Sequence, residues 1–411
     1  MRMCKRKIDY RSLSYIGLLV FLCGQYFGNA EALICFFIFV LFSGHSIRLL
    51  KKDSFTKYQF MFTFLVLVSF IWAQKESINT TTTLLVAIGV VETLYLGVYL
   101  YSVIDSRAQL LNILNIVLLS LIFLALDLII RTPLDVWGTH YIGQAIGVHR
   151  NDLGMQMAFG GVITFYYLKE KYHIALNIIL FILFSFIVVI SGSRTSFAVW
   201  VLIISLYCVF AEKNVKVIKN IGIAIILLGI AFYFIMNNSV LYEMLGKRML
   251  TLVNTLTNSS EVSISVDKSI WERNYFREYA IKMFLNKPIF GYGLDGFRTE
   301  QTSIGFMDVA YSHCNYTEML CNFGIVGFVI YYLPKIKLLF ISIMKKKSKL
   351  ETLFFIVLLT YILCDYGTVS YFDIFTQFLF IISFIVLNRS YLGIRQPNDT
   401  DRHHKKNGDQ K

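Results

Sequence analysis

Most of this 411-residue chain is divided into apolar runs of about 20 residues, and that spacing constrains the fold more than any motif does. A run of that length crosses the bilayer hydrocarbon as a helix. With no water available, only helices and closed barrels satisfy their own backbone groups there. Barrel strands alternate apolar and polar residues over about ten positions. Runs such as 174–190, IALNIILFILFSFIVVI, do not alternate, and the chain has only four prolines. The fold class that follows is all-α, a polytopic membrane protein forming a single integral membrane domain over 1–411. Hydrophobic residues make up 56% of the chain and charged ones 16%, against about 25% charged in soluble domains. We place about twelve spans, centred near Leu19, Phe39, Leu65, Val91, Leu119, Gly161, Phe184, Ile203, Leu227, Phe328, Val357 and Ser383. The basic N-terminus leads into an apolar stretch without a convincing cleavage site, so it reads as an uncleaved first span.

The net charge of +13 does not point to nucleic acid, because the basic residues are spread among loops instead of gathered on one surface. The positive-inside rule accounts for them better. With the N-terminus inside, about two thirds of the 39 lysines and arginines fall in cytoplasmic segments, which places both termini in the cytoplasm. One large external loop, 237–312, then separates the ninth and tenth spans. Within it, Ser269-Ile-Trp-Glu272 reads as a capping box starting a helix that ends near Asn286, before Pro288. Trp271, Tyr275, Tyr279 and Met283 form an aromatic stripe at spacings of four, the pattern of a helix lying on the membrane surface, while Arg273 and Arg277 share another face. The seven cysteines lack metal-ligand or disulfide spacing, and the polar tail 395–411 reads as disordered. Glu92 and Asp127 fall within spans and read as structural polar contacts.

Four polar constellations come out on the external side under this topology: 148–154 (VHRNDLG), 191–196 (SGSRTS), the Arg273/Arg277 helix, and a cluster of His313, Asn315, Tyr316 and Glu318 before an apolar run carrying Gly324 and Gly327. Arg150 and Arg194 run against the inside bias. Arginine suits bidentate recognition of phosphate and stays charged in a partly dry site. Histidine can take a proton from a hydroxyl near neutral pH. Together these fit transfer of a group from a diphosphate to an alcohol, the leaving group being stabilised by arginines. The external loop has no Asp-x-Asp pair for a metal, and no metal or other cofactor is expected. For the glycines, Gly291 and Gly293 read as turn formers beside the site, and Gly324 and Gly327 as close helix packing. A transporter would instead set charges along a central path and show repeated halves.

From Gly147 to Leu333 the ordered combination resembles the bacterial O-antigen ligase and O-antigen/capsular polysaccharide polymerase family. The resemblance rests on Arg150-Asn151-Asp152-Leu153-Gly154, Ser193-Arg194, Arg273 leading to Asn286-Lys-Pro288-Ile-Phe-Gly291-Tyr-Gly293, His313 with Asn315, and Gly324-Ile-Val-Gly327. It implies a twelve-span glycosyltransferase of the lipid-linked-sugar (GT-C) type in the bacterial cytoplasmic membrane, with its active site on the external face. It also implies an undecaprenyl-diphosphate-linked oligosaccharide donor, contact with membrane lipids, a chain-length regulator and a flippase as pathway partners, and inversion at the anomeric carbon. Arg194 and Arg273 match the family's diphosphate-binding arginines and His313 its essential histidine. Arg150, Asn151, Arg277, Gly291, Gly293, Asn315, Tyr316 and Glu318 are expected to bind substrate. Two departures are Cys314 between His313 and Asn315, where the family often has His-Asn, and Arg277 where an aromatic is common. Polymerase is the preferred activity because the HRNDLG stretch looks more like that branch; ligase is the alternative, and a flippase a distant one.

Overall fold

The computed structural model describes residues 10–47, 54–73, 80–137, 139, 141–211, 268–303, 310–345 and 347–388, with isolated positions between 222 and 246. Among the described residues the regular elements are helices and no strand occurs. In chain order these are α1 (Tyr10–Gly24), α2 (Asn29–Ser43), α3 (Ser54–Val68), α4 (Thr80–Val103), α5 (Arg107–Arg131), α6 (Arg150–Lys169), α7 (Ile174–Ile190) and α8 (Arg194–Phe210). After a stretch that is mostly outside the described residues come α9 (Lys268–Asn286), α10 (Gly296–Ser303), α11 (Asn315–Ile343), α12 (Lys349–Cys364) and α13 (Ile374–Asn388). Each expected span centre falls in one of these helices except Leu227, which lies outside the described residues, as do the tail 395–411 and most of 237–267.

By length and composition, Asn29–Ser46, Thr82–Val103, Arg107–Arg131 and Asn315–Ile343 are apolar enough to cross a membrane, and shorter apolar helices such as Ile174–Ile190 accompany them. Outward faces carry Leu41, Phe64 and Ile182, each well exposed, as a lipid-facing surface requires. Serines start several helices where their hydroxyls can satisfy free amides. Ser106 with Gln109 and Ser348 with Glu351 form complete capping boxes on α5 and α12. Both α5 and α12 begin at one end of the bundle, since Arg107 and Lys349 each pair with Glu170 just past α6, at 3.1 and 3.2 Å. Glu92 is buried within α4, and Asp127 makes the expected structural contact by pairing with Arg131.

The main departure from the expected spans is α11. A straight helix rises about 1.5 Å per residue, which would put Asn315 and Tyr332 about 25 Å apart. Instead the Asn315 amide donates to the Tyr332 hydroxyl at 2.6 Å, and the Tyr316 ring stacks on Tyr332 at 4.9 Å. The chain reverses at Gly324, whose φ of 62° and ψ of −166° are not helical. The 29 residues are therefore two helices folded against each other, 315–323 and 325–343. Gly324 was expected to serve helix packing; its role is this reversal.

Breaking a helix leaves carbonyls at one new end and amides at the other, which must find partners at membrane depth. The segment 288–293 supplies them. The Tyr292 and Gly293 amides donate to the Cys321 and Asn322 carbonyls at 2.9 and 2.8 Å, while the Ile325 and Val326 amides donate to the Pro288 and Ile289 carbonyls. This clasp is anchored in turn to the turn that follows α3 and to α4, through Leu294 N–H to the Ser69 hydroxyl and Thr83 to the Asp295 carboxylate.

Candidate active site

Helix α9 ends at Asn286 as the sequence indicates, although the side chain of Ser269, the first half of the proposed capping box, lies outside the described residues. Its Phe276, Ala280 and Met283 are buried with Tyr292, Phe297 and Cys321, which locks α9 onto the first half of α11. The expected aromatic stripe is present as stacked Trp271, Tyr275 and Tyr279, with Trp271 exposed and Met283 buried at its end. Docking α9 in this way turns Arg273 and Arg277 toward the loop before α11.

That loop carries His313 with a φ of 55°, a left-handed conformation that non-glycine residues seldom adopt and that tends to cluster at functional sites. The imidazole lies between the rings of Tyr311, 4.5 Å away, and Phe276, 6.3 Å away. Burial pushes its pKa down to about 4, helped by the charges of Arg273 and Arg277 and by His149. His149 itself is lowered by burial and by Arg150 and Arg273. It precedes α6, where its Nδ1 accepts from the Asn151 amide at 3.3 Å. Burial and the Asp152 carboxylate raise the Tyr311 phenol, while Arg273 works the other way. Three separate segments thus bring His149, Arg150, Asp152, Arg273, Arg277, Tyr311 and His313 into one electrostatic field. The Arg277 guanidinium covers the Tyr366 ring at 4.2 Å, and its Nε has no hydrogen-bond partner.

Arg194 opens α8 next to the start of α6. Ser193 caps that helix, and the Ser196 hydroxyl donates to the Asn151 carbonyl at 3.1 Å, joining the starts of α8 and α6. The remaining expected substrate contacts are held in packing. Gly291 and Gly293 are buried in the clasp on α11, where an added Cβ would strike backbone. Asn315 is fully committed: its N–H donates to the Asp365 and Thr368 carbonyls, its Oδ1 accepts from the Ser370 and Tyr371 amides, and its Nδ2 donates to Tyr332 and Asp365. Glu318 accepts from the Ser312 amide at 2.7 Å and from Asn322, and Tyr316 donates to the Ile362 carbonyl. These residues act on the site by fixing the loop that carries His313. The sequence reading passed over His149, Tyr311 and Tyr366. His149 adjoins a motif arginine, a usable signal; Tyr366 sits in a connection with no motif.

Apolar helices thus bring arginines from separate segments toward one half-buried histidine, a cluster whose charge can hold an anion. Residues 179–332 match the family model described as O-antigen ligase, so the stretch holding Arg194, Arg273 and His313 is similar to that family, in line with the resemblance. Proteins of this family are glycosyltransferase-like enzymes acting on lipid-linked glycans. No curated protein matches the chain. Among the described residues no group of three or more His, Cys, Asp or Glu is placed to hold a metal ion.

The depressed His313 pKa gives a direct prediction. Below an ordinary histidine pKa of about 6.5 the unfolded chain takes up a proton that the folded chain refuses until about pH 4. The resulting stabilisation is present above pH 6.5 and lost as pH falls between those values. Detergent-solubilised wild type should therefore lose melting temperature over that window more steeply than His313→Gln. Adding undecaprenyl diphosphate should raise the His313 titration, followed by NMR of labelled imidazole, by about one unit or more, because an anion offsets the arginines. An unchanged titration in saturating lipid diphosphate would place the anion elsewhere.

Proposed function

We propose that this protein is a polysaccharide polymerase, which transfers undecaprenyl-diphosphate-linked glycan repeat units to a hydroxyl of another lipid-linked repeat unit at the outer face of a bacterial cytoplasmic membrane. The observation that carries this reading is the convergence of Arg273 and Arg277 on His313, with Arg150, next to a neutral His149, completing a cationic rim. Such a rim suits a diphosphate, and a neutral imidazole beside it can accept a proton or a hydrogen bond.

In the reaction, the acceptor oxygen bonds to the anomeric carbon as the bond from that carbon to the diphosphate oxygen breaks. The electron pair leaves with the lipid diphosphate, whose charge the arginines stabilise without reorganising. The acceptor proton passes to the His313 imidazole. In the empty site that imidazole is a weak base, since burial and the arginines hold it near 4. The bound diphosphate screens those charges and strengthens it, so the base becomes competent when the donor is in place. A single displacement inverts the anomeric centre, and arginines take the role that a metal plays in other glycosyltransferases. Both termini lie in the cytoplasm in this reading, and the fold is of the lipid-linked-sugar transferase (GT-C) type.

The description of the matched family as O-antigen ligase favours a second reading, transfer of the finished glycan to lipid A core or another acceptor. Liposomes containing the purified protein and lipid-linked repeat units separate the two. A ladder of lengthening products supports polymerase. A single transfer to added lipid A core, without a ladder, supports ligase. With neither product, both readings are wrong.

A further inference from the structure

Beside the cationic rim lies a cleft of about 160 Å³ between the end of α1, the start of α6 and the start of α13, with opposite chemistry. It is lined by Gln25, Tyr26, His149, Asp152, Gln156 and Asp373, among others. Asp373 uses one carboxylate oxygen to accept from the Thr376 amide at 2.7 Å, capping α13. Asp152 is solvent-exposed and reaches the Tyr311 side of the site as well. Gln156 is 9% exposed, and its Oε1 has no hydrogen-bond partner; the Nε2 of Gln25, just past the end of α1, has none either. A buried polar atom left without a partner is costly, and here one acceptor and one donor from different elements line the same space.

We propose that this cleft is a sugar-ring subsite, which takes the hydroxyls of a neutral glycan residue while the arginine rim beyond His149 takes the diphosphate. The proposal rests on the lipid-diphosphate reading of that rim. Burial raises both carboxyls, and Asp373 helps to hold Asp152 near 7, so they bond sugar hydroxyls in either protonation state, while among the described residues no Lys or Arg lines the cleft to hold a phosphate. A sugar hydroxyl both donates and accepts, which meets the needs of Gln156 Oε1 and Gln25 Nε2 together. The ring of Phe375 adds an apolar wall for the C–H face of a pyranose. His149 marks the boundary, lining the cleft on one side and lying within reach of Arg273 on the other. A glycan diphosphate laid across that boundary sets its glycosidic end next to His313.

The test uses the full chain in nanodiscs and two probes: undecaprenyl diphosphate, and the lipid-linked repeat unit extracted from the producing bacterium. Wild type should bind the repeat unit about tenfold tighter than the bare lipid diphosphate, the gain expected of a few new hydrogen bonds. Gln156→Leu and Gln25→Leu should each erase most of that preference and leave binding of the bare lipid unchanged, which also reports that the variants are folded. Arg273→Ala should weaken both probes alike. If wild type shows no preference, or both glutamine variants keep it, the subsite is refuted while an Arg273-dependent affinity for the bare lipid preserves the rim. If wild type binds neither probe, rim and subsite fall together.

Discussion

Arg273→Ala should reduce glycan transfer by about 10²- to 10³-fold or more, the loss seen when one preorganised charge stabiliser is removed from a site. The residue is placed by packing and not by its own flexibility. Phe276, Ala280 and Met283 fix α9 against α11, so the arginines keep their aim when the site is empty. Preorganisation of this kind makes the guanidinium worth more in the transition state, where charge leaves with the diphosphate, than in the bound donor. Arg273→Ala should accordingly lower kcat more than it raises KM. Arg273→Lys keeps the charge but loses the planar fork, and an intermediate rate is expected. His313→Ala should cost about 10²- to 10⁴-fold if the imidazole takes the acceptor proton. Radiolabelled repeat units in proteoliposomes give both rates, with membrane insertion checked separately. Wild-type elongation by either alanine variant would remove that residue from the chemistry.

How much of this was legible in the sequence depends on the range of the interactions involved. The α9 arginines and the helix end before Pro288 are written in local spacing, and the structure keeps them. That Arg150, Arg273 and His313 share an end of the bundle followed from counting spans, because each crossing reverses the chain. The bonding of Asn315 was not readable. Its partners, Asp365, Thr368, Ser370 and Tyr371, lie some 50 residues away in a short connection without a recognisable motif. Asp152 stood inside a quoted motif, yet its cleft partners come from the ends of α1 and α13, and no spacing rule links them. Gly324 was misread for a different reason. In an apolar run a glycine reads as a small residue for close packing, since the sign of φ is not encoded in its neighbours.

The reversal at Gly324 leads to the largest effect on stability: Gly324→Ala should lose about 3 kcal/mol or more. Its backbone conformation is one that only glycine adopts without strain, which alone costs about 1–3 kcal/mol for another residue. A Cβ there would also overlap the Ile289 carbonyl, itself the acceptor for the Val326 amide. The overlap cannot be relieved by a rotamer change, because the obstacle is backbone. Moving it opens the clasp, strips partners from both new helix ends, and lets α9 and the His313 loop shift together. Activity should therefore fall with stability, even though Gly324 is no part of the rim. Gly44→Ala is the control, since no atom lies within 4 Å of its added Cβ and its φ of −53° is helical. That variant should match wild type or gain slightly. Melting in detergent, read by fluorescence, should show a drop of several degrees for Gly324→Ala and none for Gly44→Ala. Equal melting of the two would mean that α11 can straighten at little cost, and that the clasp does not hold the site.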